Sequence, residues 1–226
     1  MLLLCQSRQK NARRIIKRAA GRHWHCFGKG FYMQELDWNA FYEQCGRCTE
    51  CRLAQNRTNI VIGAGVPDTE VMFIGEGPGE QEDLKGEPFV GRGGQLLDKM
   101  LAAVGLSRKH NIYIANIVKC RPPNNRDPLP DEQESCIKWL KMQVSLIKPK
   151  IIVCLGRVAA CRIIDEGYKV TKQHGEFIEK GGVLMMGTFH PAALLRNPGL
   201  KPAAFADLIG LRDKIEKVCE KTKLVY

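Results

Sequence analysis

The residues best equipped for chemistry in this 226-residue chain are cysteines. Cys45, Cys48 and Cys51 form two overlapping C-x-x-C pairs in "CGRCTEC", a spacing that can bind zinc, bind an iron-sulfur cluster or act as a redox dithiol. Cys120 and Cys136, sixteen residues apart, can complete a four-thiolate set with Cys48 and either Cys45 or Cys51. Small buried cysteines would explain the same two positions without a metal. Cys154 and Cys161, inside apolar runs, fit plain core packing better. Cys26, with His23 and His25 nearby, lacks a fourth ligand. Tetrahedral sulfur suits zinc and iron alike, so residue type alone does not choose the metal.

Four other positions carry useful groups. Glu76 lies in "GEGPG", Phe89 in "GEPFVG", Asn116 at the end of "IYIAN" and His190 in "TFHPAALLRNP". A planar aromatic in a turn can serve as a stacking wall for a base. Asparagine offers a donor and an acceptor that match the edge of a nucleobase, although it could equally cap a turn. His190, held off the helical conformation by Pro191, could stabilise negative charge on a departing group. The glycine-rich segment has neither the G-x-G-x-x-G spacing of a dinucleotide site nor a Walker pattern, which lowers hydride-transfer and ATPase readings.

The elements that must position these groups alternate. "EVMFIGEGPG", "GGQLLDKMLAAVGL", "NIYIANIVKC", "DEQESCIKWLKMQVSLI" and "PKIIVCLGRVAACRII" read as strand, helix, strand, helix, then strand-turn-helix. The expectation is an α/β three-layer sandwich with a central parallel sheet, covered on both faces. Glu76, Asn116 and His190 then fall together at the carboxyl ends of strands, where such sheets bind ligands. "GYKVTKQHGEFIEKGG" reads as a hairpin or extended excursion, and "LRDKIEKVCEKTKLVY" as a helix with a loose end in which Cys219 has no role.

Thirty-five basic against 24 acidic residues give a net charge of +11, a balance that favours polyanion partners. Arg8, Lys10, Arg13, Arg14, Lys17, Arg18, Arg22 and Lys29 crowd the first thirty residues, which contain no acid. Residues 1–32 are therefore set apart as a basic extension, and 33–226 are read as one domain whose first helix begins near Met33. No apolar run is long enough to cross a bilayer, and "MLLLCQSRQK" lacks the pattern of a secretory signal, so the protein is expected inside the cell.

"GEGPG" with "GEPFVGRGGQLL", "IYIANIVKCRPPNNR" and "FHPAALLRNP", in that order, together resemble the type-four iron-sulfur uracil-DNA glycosylases. The resemblance runs from about Cys45 through "RNP" and more loosely into the terminal helix. It implies a uracil-DNA glycosylase-like fold and a monofunctional hydrolase of base excision repair, which releases uracil and leaves an abasic site. It also implies one 4Fe-4S cluster on Cys48, Cys51, Cys120 and Cys136, with Cys45 as an extra thiol. Uracil would lie against Phe89, with Asn116 on its edge, His190 near its O2, and Glu76 and Gly77 completing the pocket. Related classes place a carboxylate where this chain has Gly77, which makes Glu76 the nearest water-activating candidate. Arg92, Arg121, Arg126, Leu194, Leu195 and Arg196 become expected DNA contacts, with solvated charge and core leucines as the plainer alternatives. One departure is His174-Gly175, where family members often carry arginine and glycine. The implied partner is uracil-containing single- or double-stranded DNA, met by a monomer in the cytoplasm and nucleoid of a prokaryote, with recruitment by a sliding clamp left open. The competing reading is a non-catalytic DNA-binding module stapled by iron-sulfur or zinc.

Overall fold

The computed structural model describes residues 37–226; the basic extension and the expected helix start at Met33 lie outside the described residues. The helices are α1 (Trp38–Gly46), α2 (Glu80–Lys85), α3 (Arg92–Ala102), α4 (Pro130–Ile147), α5 (Arg157–Ile163), α6 (Val170–Gln173), α7 (Pro191–Arg196) and α8 (Lys201–Val218). Six strands, β1 (Ala64–Gly65), β2 (Val71–Gly75), β3 (Tyr113–Asn116), β4 (Ile151–Leu155), β5 (Phe177–Lys180) and β6 (Val183–Thr188), form one sheet in the order β1-β3-β2-β4-β6-β5.

The centre of the sheet, β3-β2-β4-β6, is parallel, as expected. At the edges β1 and β5 run antiparallel to their neighbours, β5 in line with the hairpin read in "GYKVTKQHGEFIEKGG". For β5 the reason is the connection. Gly181 and Gly182, with φ of 61° and 80°, turn the chain straight into β6, and a two-residue turn can join only antiparallel strands.

Both faces of the sheet are buried, which explains the unbroken apolar strands. Met72, Ile74, Tyr113, Ile152 and Cys154 pack with Phe41 and Cys45 of α1, Trp139 and Leu140 of α4, and Ala159 and Ala160 of α5. Their neighbours along the chain, Val71, Phe73, Ile112, Ile114 and Val153, turn to Leu97 and Leu101 of α3 and Leu208 and Leu211 of α8. The three layers are thus helix, sheet, helix.

The chain after α8 is pinned rather than loose. The Thr222 hydroxyl accepts from the Glu70 backbone N–H at 2.9 Å, and the Glu70 carboxylate accepts the N–H groups of Lys221 and Thr222. The buried Glu70, just before β2, supplied this order, and the polar tail composition did not signal it. Among the described residues no helix is long and apolar enough to cross a membrane.

Candidate active site and cysteine cavity

Strand register brings the first parts of the site together. Gly75 of β2 pairs with Asn116 of β3, and a Cβ at Gly75 would run into Asn116 Oδ1 and lie 2.5 Å from Phe89 Cζ. A glycine is therefore required for these two side chains to face one space. Phe89 adopts φ of 54°, a conformation that costs a non-glycine residue of order 1 kcal/mol or more and persists only where surroundings enforce it. The enforcement is visible: Glu82 accepts from the N–H groups of Val90 and Gly91 at 2.9 and 2.8 Å, and Arg108 Nη2 donates to the Phe89 carbonyl at 2.9 Å. The Phe89 ring centre stands 5.8 Å from that of His190.

Asn116 is buried, and its Oδ1 is the one buried side-chain oxygen or nitrogen among the described residues with no hydrogen-bond partner. Its backbone is held firmly from behind. Lys119, fully buried at 0% exposure, donates from Nζ to the Asn116 carbonyl at 2.8 Å and to Gln143 Oε1 at 2.6 Å. Gln143 in turn donates from Nε2 to the Ile62 carbonyl at 2.9 Å and the Tyr113 hydroxyl at 3.2 Å. Burial pulls the Lys119 ammonium down to about 8, against the raising influence of Cys136, Cys45 and Cys120.

His190 caps α7. Its Nδ1 accepts the Ala192 N–H at 3.2 Å, and burial, aided by the charge of Arg196, lowers the ring to about 4. The imidazole is thus neutral at physiological pH, with its proton on Nε2 and available for donation. Gly156, at φ of 88°, passes so close that a Cβ there would lie 2.8 Å from His190 Cβ.

Glu76 follows β2 at the same rim. Burial first, then the neighbouring Asp127 carboxylate, pushes it up to about 7, with Arg157 opposing; Arg157 itself ion-pairs with Asp127. Gly77 leaves no room for the carboxylate that related classes place there, since a Cβ would already lie 2.7 Å from Val118 Cγ2.

The expected DNA contacts divide. Arg92, at the start of α3, and Arg196, at the end of α7, are exposed, and Leu195 is partly exposed. Leu194 corrects the expectation: at 2% exposure it packs in the core beneath α7. Arg126 is a second correction. Its guanidinium grips the fully buried Glu132 carboxylate through both Nη atoms, at 2.8 and 2.7 Å, and Glu132 accepts the Leu129 N–H. This arrangement fastens the start of α4 and occupies the fork that a phosphate would need. Arg121 is partly exposed and donates to Asn125 Oδ1 at 2.8 Å. His174 bonds through Nδ1 to Asp207 at 2.8 Å, and its ring lies tilted against that of Phe189, the neighbour of His190, with centres 4.7 Å apart.

Cys48, Cys51, Cys120 and Cys136 line a single cavity together with Arg57, Lys119 and Trp139. Three of these sulfurs receive hydrogen bonds: Cys120 from Arg57 Nη1 and Cys48 from Trp139 Nε1, each at 3.2 Å, and Cys136 from the Lys119 backbone N–H at 3.3 Å. Cys45 is not part of the lining; it packs in the core, and burial pushes its thiol up to about 12. Burial likewise raises Cys136 to about 11 and moves Cys120 in the same direction. Among the described residues no three His, Cys, Asp or Glu side chains are grouped to hold a single metal ion. The sulfurs surround a space instead.

Sequence reasoning missed Lys119, Gln143, Glu82, Arg57, Arg108 and Asp127. Lys119 lies inside "IYIANIVKCRPPNNR" and Asp127 directly follows it, but their burial and pairing depend on partners far along the chain.

The three-layer fold brings a buried asparagine and a histidine to one rim of the sheet, and comparison with known proteins bears on the class. The family model for the uracil DNA glycosylase superfamily matches residues 62–209. A type-4 uracil-DNA glycosylase of Thermotoga maritima is 48% identical over 157 residues, 69% of this chain and 81% of that protein. One of Archaeoglobus fulgidus is 44% identical over 182 residues, 77% of this chain and 89% of the relative. One of Sulfurisphaera tokodaii is 42% identical over 180 residues, 76% and 81% of the two chains. The chain belongs to the uracil-DNA glycosylase superfamily and, within it, to the type-4 branch.

Proposed function

We propose that this protein hydrolyses the N-glycosidic bond of deoxyuridine in single- or double-stranded DNA, releasing uracil and leaving an abasic site in an unbroken strand. The observation that carries the proposal is the partnerless Oδ1 of Asn116, buried beside Phe89. A buried acceptor without a partner costs about 1–3 kcal/mol, and such a cost is retained where a ligand supplies the missing donor. The N3–H of uracil is such a donor. Cytosine presents an acceptor at the same ring position, which would oppose Oδ1 and be rejected.

In this reading the target nucleotide leaves the stack, and its base lies on Phe89. His190, neutral with Nε2–H available, donates to O2 as negative charge grows on the departing base; a fixed donor aimed at developing charge lowers the barrier without reorganising. Water attacks C1′ of the sugar. Glu76, whose affinity for a proton is raised to about 7, is assigned the water's proton. Arg92, Arg121, Leu195 and Arg196 supply the DNA-facing rim.

The cysteine cavity fits one 4Fe-4S cluster held by Cys48, Cys51, Cys120 and Cys136, in view of its four sulfurs and the N–H donors aimed at three of them. When bound, the cluster supplies iron-thiolate bonds that tie the segment before β1 to the turn after β3, and hydrolysis needs no electron transfer.

The test is single-turnover release of free uracil from a defined U:G duplex, with a thymine-containing control. Release that leaves an intact abasic strand, and that is lost on replacing Asn116, is the expected result. DNA binding without release would overturn the enzymatic reading in favour of a binding module.

A further inference from the structure

We propose that Lys119 is a positioning residue that joins the cysteine cavity to the base-reading end of β3, holding Asn116 by its main-chain carbonyl. The inference rests on the uracil-excision reading of the Asn116 pocket. Four observations converge on this one side chain. It is fully buried. Its ammonium donates to the Asn116 carbonyl and to Gln143. Its own N–H donates to Cys136 Sγ. Its successor in the chain is Cys120, and the two residues line the cavity side by side.

Burying an ammonium is unfavourable unless close partners compensate. Here two neutral oxygens, the Asn116 carbonyl and Gln143 Oε1, accept from Nζ. An apolar residue could fill the same volume without that cost, so packing does not account for a lysine. What lysine adds is a rigid donor between residues fixed by the cavity and the strand end that carries the amide. Asn116 gets no help from its own side chain, because Oδ1 has no partner. Its orientation therefore depends on its backbone, and the carbonyl held by Lys119 belongs to that backbone. Misplacing a reacting geometry by about 1 Å can cost on the order of 10²-fold in rate.

The test uses Lys119→Met, which keeps the length and removes the donor. Measurements are iron and sulfide content, free-uracil affinity by calorimetry, and single-turnover excision, each repeated in an Asn116→Ala background. The expected result is a full cluster complement, free-uracil affinity weakened about tenfold, and excision slowed on the order of 10²-fold with binding of undamaged DNA unchanged. In the Asn116→Ala background Lys119→Met should add almost nothing, since both act through one amide. A purely structural lysine would multiply the two losses, and that outcome overturns the proposal.

Should Lys119→Met fail to hold iron, Gln143→Leu removes the other anchor of the same ammonium from a distance, and it should show the same non-additive signature at smaller size. Cluster loss in both variants would make Lys119 a plug of the cavity and overturn the proposal. Wild-type protein that releases no uracil would sink the excision reading. Active wild type with an unchanged Lys119→Met variant would sink this inference alone.

Discussion

Asn116 and His190 stand at the ends of two parallel strands on one rim, yet the molecule supports them in opposite ways. His190 is supported locally: the Ala192 N–H two residues on satisfies Nδ1, and burial removes its charge. Asn116 is supported from a distance, through Lys119 and then Gln143 of α4, while its Oδ1 is left unsatisfied. A donor to a leaving group needs only the right tautomer and a neutral ring, which a helix cap can set. A reader of a base edge must keep its bonding capacity unused, so its rigidity has to come from somewhere other than its side chain.

The comparison breaks most completely at Asn116. Asn116→Ala is expected to slow uracil excision about 10³-fold, the scale of losing one well-placed group at a reacting centre. The same substitution deletes an acceptor that folding already leaves unpaired, so thermal stability should stay level or rise. A calorimetric melting temperature several degrees below wild type would show that Oδ1 has a partner in the free protein and that its side chain is not held in waiting.

His190→Leu should cost somewhat less, about 10²-fold in excision, because charge on departing uracil can be partly met by solvent. Its pH signature separates it from Asn116. With the folded ring held at about 4 and an unfolded value near 6.5, the unfolded chain binds the extra proton first. Stability tied to His190 is full above about pH 6.5 and is lost as pH falls toward 4. The excision rate should show no titration from this ring between pH 5 and 8. Equilibrium unfolding of wild type and His190→Leu from pH 4 to 8 checks the first point; parallel slopes would refute it.

Glu76 tests whether a third strand end contributes chemistry. Its folded value of about 7 against an ordinary value near 4.3 means that the fold favours the protonated acid. Its contribution to stability is therefore present at low pH and lost as pH rises through 7. Glu76→Gln should remove that decline. If the carboxylate accepts the water's proton, wild-type excision rises through about pH 7, and the variant is pH-independent and about tenfold slower at pH 8. A wild-type profile flat across pH 7 would leave Glu76 as a loop support.

What the chain disclosed before folding follows the same local and distant divide. The strand-helix alternation and the strand-end positions of Glu76, Asn116 and His190 are short-range patterns, and the sheet agrees with them. Lys119 was illegible because a lysine beside a cysteine reads as surface charge until Gln143, 24 residues away, arrives to bury it. Arg126 read as a phosphate contact because nothing in "NNRDP" announces the buried Glu132 that claims it. The antiparallel β5 was half visible: its Gly181-Gly182 turn could be read, whereas its partner strand had to be inferred.

The smallest expected effect sharpens the His190 side. Leu194 and Leu195 are adjacent on α7, the helix that His190 caps, but they lie on different sides of it: Leu194 is in the core and Leu195 is partly exposed. Leu194→Ala should cost about 2–5 kcal/mol of stability, the range for emptying a buried leucine site, and should disturb excision only through unfolding. Leu195→Ala should leave stability within about 0.5 kcal/mol. If Leu195 fills the position a base vacates, this variant loses a few-fold of excision on duplex DNA and nothing on single strands, where no stacked gap needs filling. Unfolding curves and single-turnover rates on matched duplex and single-stranded substrates measure both. Equal losses on the two substrates would confine α7 to presenting His190, and the short-range support of this rim would then serve one residue alone.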